Sequence, residues 1–174
     1  VCVQNDILRS IDNNRCVLLL LDMSTAFDTV DHDILIKRLD TRFGIRGSAL
    51  PWFKSYLEDR THFVSINGTS FSLHYLTCGV PQGSALGPLL CVLYTSPVRD
   101  IIRSHGLSFH LYADDQQLYT FFFFDSESDM VTAKSLIESC VYDIHKWMVI
   151  SKLKLNTDKT QLLYFNSLAF PSMP

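Results

Sequence analysis

Two periodicities of apolar positions run along this chain. Residues 17–21, VLLLL, form a continuous apolar run that stops abruptly at Asp22, as expected of a strand buried on both faces with a polar residue at its tip. Ile34, Leu35 and Leu39 then recur at helical spacing, with Asp33 placed to cap that helix and Gly44 to stop it. Ser48 predicts a second helix start, with Pro51 tolerated in its first turn and Trp52, Phe53, Tyr56 and Leu57 along it. THFVSI and FSLHYL flank Asn67-Gly68, which predicts a hairpin because both central residues of a type I′ turn need positive φ. GVPQGSALGPLL, residues 79–90, opens with glycines and prolines and predicts an apolar helix from about Pro88 towards Ile102.

The second half of the chain repeats the contrast. FHLYADDQQLY, residues 109–119, reads as a strand, a tight turn at Asp114 and Asp115, and a return strand through Leu118 and Tyr119. Ala133, Ile137, Cys140, Ile144, Trp147 and Met148 recur every three or four residues, one apolar face of a long helix. KLKL and QLLYF, around Asn156-Thr157-Asp158, predict a last pair of strands. Strands and helices alternate without a βαβ rhythm and hairpins are prominent, which predicts an α+β fold: an antiparallel sheet with helices packed on one face.

Composition narrows the function. A length of 174 residues, 47% of them hydrophobic, fits one domain with its own core. The five cysteines form no CxxC pair and are odd in number, so they read as reduced thiols of an intracellular protein. No apolar run is long enough to cross a bilayer and no signal-peptide pattern opens the chain, which predicts no membrane association. The formal charge of -3 argues against a nucleic-acid binder held by phosphate contacts alone. The six histidines show neither HExxH spacing nor a cysteine partner, and none is assigned to a metal. The run YTFFFF at 119–124 suggests aggregation rather than binding.

Three acids stand at predicted strand ends or turns: Asp22, Asp114 and Asp115. Two ionised carboxylates about 4 Å apart repel by roughly 4 kcal/mol at an effective dielectric near 20, so something must compensate. If the first strand lies beside the hairpin, the three acids form a cluster of hard oxygen ligands suited to Mg²⁺. Two such ions can clamp the attacking and leaving oxygens of a phosphoryl displacement. By contrast, Asp28, Asp31 and Asp33 read as capping and helix-start charges.

In this order and at these separations, LLLLDMSTAFDTVDHDIL, GVPQGSALGPLL, FHLYADDQQLY and KLKLNTDKTQLL resemble consecutive palm motifs of reverse transcriptases, most closely those of non-LTR (LINE-type) retrotransposons. The segments between them, among them RFGIRG, WFKSYLEDR and FVSING, are similar to the same group, so the resemblance spans residues 1–174 as a palm region. It implies a polymerase palm that joins deoxynucleoside triphosphates to a primer 3′-hydroxyl on an RNA template. Asp22 would hold both metal ions with help from the Met23 carbonyl, Asp114 would be the second indispensable ligand, and Asp115 would assist. Phe27 would lie under the sugar of the incoming nucleotide and exclude a 2′-hydroxyl. Gln82 and Gly83 of the PQG turn would contact that nucleotide, and Lys159 would meet the departing pyrophosphate. The implied cofactor is a pair of Mg²⁺ ions, with Mn²⁺ as a substitute.

Where the sequence departs from the resemblance, no metal ligand is lost. Gln116 stands where threonine is common, Ala85 where valine is, and Ser151 where asparagine is. No counterpart of the basic fingers motifs, the thumb or an endonuclease is recognised, so the fragment alone is expected to be inactive and to depend on those segments as partners. The family implies a nuclear site of action and a cytoplasmic origin. Two alternatives stay open: a non-catalytic retrotransposon remnant kept as a binding module, and a metal-dependent nuclease built from the same acids, which the PQG block and Phe27 do not support.

Overall fold

The computed structural model describes residues 15–24, 27–70, 72–81, 83–112, 115–122 and 127–165. For residues 15–24, 111, 112, 115–117, 121, 122, 127, 164 and 165 the backbone alone is described. The expectations placed on Gln82, Asp114 and residues 123 and 124 lie outside these residues. The chain divides into two compact units, one formed by Val1–Ser24, Pro97–Ile150 and Lys154–Pro174, the other by Thr25–Ser96 and Ser151–Leu153.

In the first unit the apolar run becomes β1 (Arg15–Ser24), the strand on which the sheet is built. A hairpin of β6 (Ser108–Tyr112) and β7 (Asp115–Phe122) lies on one side, β7 pairing antiparallel with β1 from Arg15↔Phe122 to Asp22↔Asp115. β8 (Lys154–Leu155) and β9 (Gln161–Phe165) share the other side. These are the two expected closing strands, but each pairs with β1 rather than forming a hairpin of its own. From Cys16 to Leu20 the strand is paired along both edges, so the backbone groups of that stretch are engaged in ladders on either side.

Two helices of this unit pack against the sheet: α4 (Val98–Ser104) on β6, and α5 (Glu127–Ile150) on α4, β7 and β8. The predicted apolar face of α5 is the buried one, with Ala133, Ile137, Cys140, Ile144 and Met148 all inside. His105, which closes α4, lies 3.0 Å through Nε2 from Asp143 of α5.

The second unit contains α1 (His32–Thr41), α2 (Ala49–Leu57) and α3 (Gly87–Thr95), with α2 and α3 each packed on α1 around Leu35, Leu39, Leu57, Leu90 and Tyr94. Asp31, not Asp33, caps α1: its carboxylate accepts from the Ile34 amide at 2.9 Å, which leaves Asp33 as a first-turn charge. The helix expected from Pro88 to Ile102 is two helices. Pro97 has no amide to continue the ladder of α3 and instead becomes the N-cap of α4.

The Asn67-Gly68 turn forms as expected, at φ 51° and 80°. It joins β3 (Ser65–Ile66) to β4 (Thr69–Ser70), and β2 (Thr61–His62) pairs with β5 (His74–Tyr75) behind it. Between the two ladders the outgoing strand has two residues and the returning strand three, so the return carries one extra residue.

Candidate active site

Asp22 ends the run of β1 that pairs with β7, and its partner is Asp115. Directly opposed residues of an antiparallel pair stand about 4.5–5.5 Å apart at Cα. Asp115, expected in the turn, belongs instead to the strand: it is the first paired residue of β7, opposite Tyr112 as well as Asp22. Asp114, outside the described residues, is joined to Asp115 by one peptide bond. Met23 follows in β1 opposite Leu155.

The other edge of β1 carries the Lys159 loop past the same point. Met23 pairs with Leu155 and Leu20 with Gln161, so residues 156–160 depart from the ladder opposite Leu21 and Asp22. Thr160 folds the excursion on itself, its amide donating to the Thr157 carbonyl at 3.3 Å and its hydroxyl to the Asn156 carbonyl at 2.8 Å. Lys159 is exposed within it. Along β1, then, Asp22 has an acid in register on one side and the lysine-bearing loop on the other.

Phe27 and Gly83 belong to the second unit. Phe27 is half-buried, and its carbonyl accepts from the Val80 amide at 2.8 Å, while the Gly79 amide donates to Val30 at 2.8 Å. The residues that follow Asp22 are thus tied to the start of the PQG block. The block's glycines have separate reasons. A Cβ on Gly79 would meet the Asp28 carbonyl oxygen at 2.9 Å, and one on Gly87 would meet that of Pro81 at 2.6 Å, so these two permit close packing of the chain on itself. Gly83, at φ 77°, faces open space, leaving its backbone accessible. Ser84, which the motif reading passed over, accepts from the Gly87 amide at 2.9 Å and donates to Pro81 at 2.8 Å, holding the turn that starts α3.

A polar cluster in the same unit also escaped the sequence. Tyr94 is fully buried, donates to the Ser151 carbonyl at 2.5 Å and accepts from the Asp31 amide at 3.4 Å. Arg38 lies over the Tyr94 ring, 4.5 Å from its centroid, and donates to the Tyr94 carbonyl and, at 2.6 Å, to Ser151 Oγ. Lys152 reaches Asp31 at 2.5 Å. Burial pushes the Tyr94 phenol up and pulls the Arg38 guanidinium down. Burial also opposes ionisation of Asp31, but the hydrogen bonds from Lys152 and the Ile34 amide outweigh it and hold the carboxyl below its usual value. The only sequence signal for this cluster was Ser151 in place of a commoner asparagine, next to the last strand pair.

A model of the reverse transcriptase (RNA-dependent DNA polymerase) family matches residues 2–171, and the chain belongs to that family. The RNA-directed DNA polymerase from mobile element jockey of Drosophila melanogaster is 29% identical over 164 residues, which cover 90% of this chain and 17% of that protein. The probable RNA-directed DNA polymerase from transposon BS of the same species is 39% identical over 88 residues, 49% of this chain and 9% of that protein. The chain thus spans less than a fifth of the length of either relative. Among solved structures, telomerase from Candida albicans in complex with a TWJ fragment of telomeric RNA superposes with a TM-score of 0.67 at 17% identity, covering 92% of this chain and 29% of that one. Apo telomerase from Candida tropicalis gives 0.64 at 16% identity, covering 97% and 31%. The resemblance to reverse transcriptases of LINE-type elements is borne out, and the fold is the expected α+β polymerase palm.

Proposed function

We propose that this member of the reverse transcriptase family is the catalytic palm of an RNA-directed DNA polymerase encoded by a LINE-type mobile element, which copies RNA by adding deoxynucleotides to a DNA primer. The observation that carries this reading is the register pair Asp22↔Asp115, with Asp114 one peptide bond away. Aspartates offer hard oxygen donors that suit Mg²⁺, with Mn²⁺ as a substitute, and fit poorly with softer ions that prefer imidazole or thiolate. Asp22, Asp114, Asp115 and the Met23 carbonyl would hold two such ions. When bound, these lower the cost of charge building at the α-phosphate of the incoming nucleotide.

The chain's own groups supply position. Phe27, anchored through its carbonyl to Val80, is available to exclude a 2′-hydroxyl by steric conflict. The open backbone at Gly83, beside Gln82, is available to approach the triphosphate closely. Lys159, exposed in the loop that passes Asp22, is suited to meet the departing pyrophosphate. RNA template, DNA primer and deoxynucleoside triphosphates are the proposed ligands, the fingers, thumb and endonuclease segments of the element the proposed partners, and the nucleus the proposed place of action.

Primer extension on an RNA template by the full-length polymerase tests the reading. Asp22→Asn and Asp114→Asn are each expected to lower the rate at least about 100-fold, and Asp115→Asn by less. Lys159→Ala should slow extension. Undiminished extension by Asp22→Asn would overturn the proposal.

A further inference from the structure

The ribbon of residues 61–75 projects a feature that the polymerase reading does not use. His62 of β2 and His74 of β5 are direct cross-strand partners. Both side chains are exposed, and their ring centroids lie 5.8 Å apart with the planes 30° from parallel. Ser72, in the stretch that carries the extra residue, places its hydroxyl 3.1 Å from His74 Nε2. The ribbon contains no aspartate, glutamate, lysine or arginine, so nothing on it repels a cation or competes for the two imidazoles.

We infer that His62 and His74 form a surface site for a borderline divalent cation of the Zn²⁺ or Ni²⁺ class, bridging the two strands of the ribbon. An imidazole nitrogen binds such an ion at about 2.0–2.1 Å, which puts the centroids of two rings on one tetrahedral ion about 5 Å apart. The observed 5.8 Å comes within 1 Å of that, a difference that rotation of two exposed side chains removes. Histidines that ligate metals usually have the other ring nitrogen held by a hydrogen-bonding group. Ser72 does this at Nε2 of His74, leaving Nδ1 for the ion. Two protein ligands leave the remaining positions to water, so the site is weaker than a structural zinc centre.

A cation here has a structural consequence. The ribbon is held by two ladders of two residue pairs each, all exposed, and a ribbon of this kind is marginal in water. An ion bound to both strands when paired, and to neither so well when apart, shifts that equilibrium towards the closed ribbon. The site differs from the carboxylates proposed for Mg²⁺ in chemistry, since imidazole selects against the harder ion, and it belongs to the other unit of the chain.

Titration of the purified chain with Zn²⁺ and Ni²⁺, followed by calorimetry and by histidine ring proton resonances, tests the inference. One ion is expected per chain, with the His62 and His74 signals moving together and excess Mg²⁺ not competing. His62→Ala and His74→Ala should each weaken binding at least tenfold, and the double variant should do little further, because either loss already breaks the chelate. His145→Ala, which removes an exposed imidazole on α5, should bind as the wild type does. Amide exchange at Thr61, His62, His74 and Tyr75 should slow when the ion is added. All the substituted side chains are exposed, so circular dichroism and the metal-free melting temperature should match the wild type. Binding that survives the double variant, or that His145→Ala abolishes, would overturn the site.

Discussion

Asp22 and Asp115 are direct partners across the antiparallel ladder of β1 and β7, two acids from distant parts of the chain brought into register at one end of the sheet. Like charges directly opposite each other in an antiparallel pair destabilise it. The pairing is therefore retained against its own electrostatics unless a cation intervenes.

Divalent ions should accordingly change the stability of the chain in a way that depends on this pair. In the presence of a chelator Asp22→Asn is expected to melt at a higher temperature than the wild type, because repulsion across the ladder is relieved. Millimolar Mg²⁺ should raise the melting temperature of the wild type and leave that of Asp22→Asn nearly unchanged. Calorimetric scans with and without Mg²⁺ measure both, and equal responses of the two proteins would contradict the metal-binding role.

The glycines of the PQG block separate packing from access. Gly79→Ala places a Cβ 2.9 Å from a carbonyl oxygen at φ 86° and should cost about 2–4 kcal/mol from left-handed strain and overpacking together. Gly83→Ala meets no atom within 4 Å and should cost only about 1–2 kcal/mol. Denaturant midpoints give both numbers. A loss of nucleotide affinity in Gly83→Ala larger than its stability loss would locate substrate contact at that backbone.

Asp31 predicts an acid-sensitive component of stability. Its folded carboxyl is held below its ordinary value of 3.8 by the bonds from Lys152 and the Ile34 amide. The stabilisation from its bonds to Lys152 and Ile34 is thus fully present above that value and is lost as pH falls through the lower folded value. Asp31→Asn keeps a competent helix cap but removes the charge, so its stability should depend less on pH in that window. Asp31→Ala should additionally lose about 1 kcal/mol of capping at neutral pH. Urea midpoints between pH 2 and pH 6 distinguish the two.

Cys140 should behave oppositely at the alkaline end. Burial, reinforced by Asp143, pushes its thiol from 9.0 up to about 11. Below 9 both states hold the proton and no stability is at stake. Between 9 and 11 the unfolded chain loses it first, so stability falls as pH rises through that window, and Cys140→Ala should flatten this decline. The buried thiol should also resist alkylation at neutral pH while exposed Cys78 reacts, as peptide mapping after labelling would show.

Local chemistry made much of this protein legible from its sequence. The continuous apolar run of β1, the positive-φ turn at Asn67-Gly68 and the apolar stripe of α5 each follow from residues within a few positions of one another, and each is where the pattern predicts. The ordered motif blocks likewise identified the family, because identity along the chain does not depend on knowing which segments touch. Capping and helix breaks were read less well. Asp31 and Asp33 are equally good caps by composition, and the one that caps is the one that also meets Cys78, Tyr94 and Lys152, all far away in sequence.

Tertiary structure alone decided register and neighbourhood. Nothing near Asp22 in sequence says that Asp115 rather than Asp114 is its ladder partner, or that the Lys159 loop leaves β1 opposite it. The same holds for Tyr94 meeting Ser151, and for the two histidines that carry no motif spacing yet face each other across a ribbon. The physical reason is common to all of these. Periodicity and propensity are short-range and can be summed along the chain, whereas strand register and buried polar pairing depend on which distant segments meet, and that emerges only when the whole chain condenses.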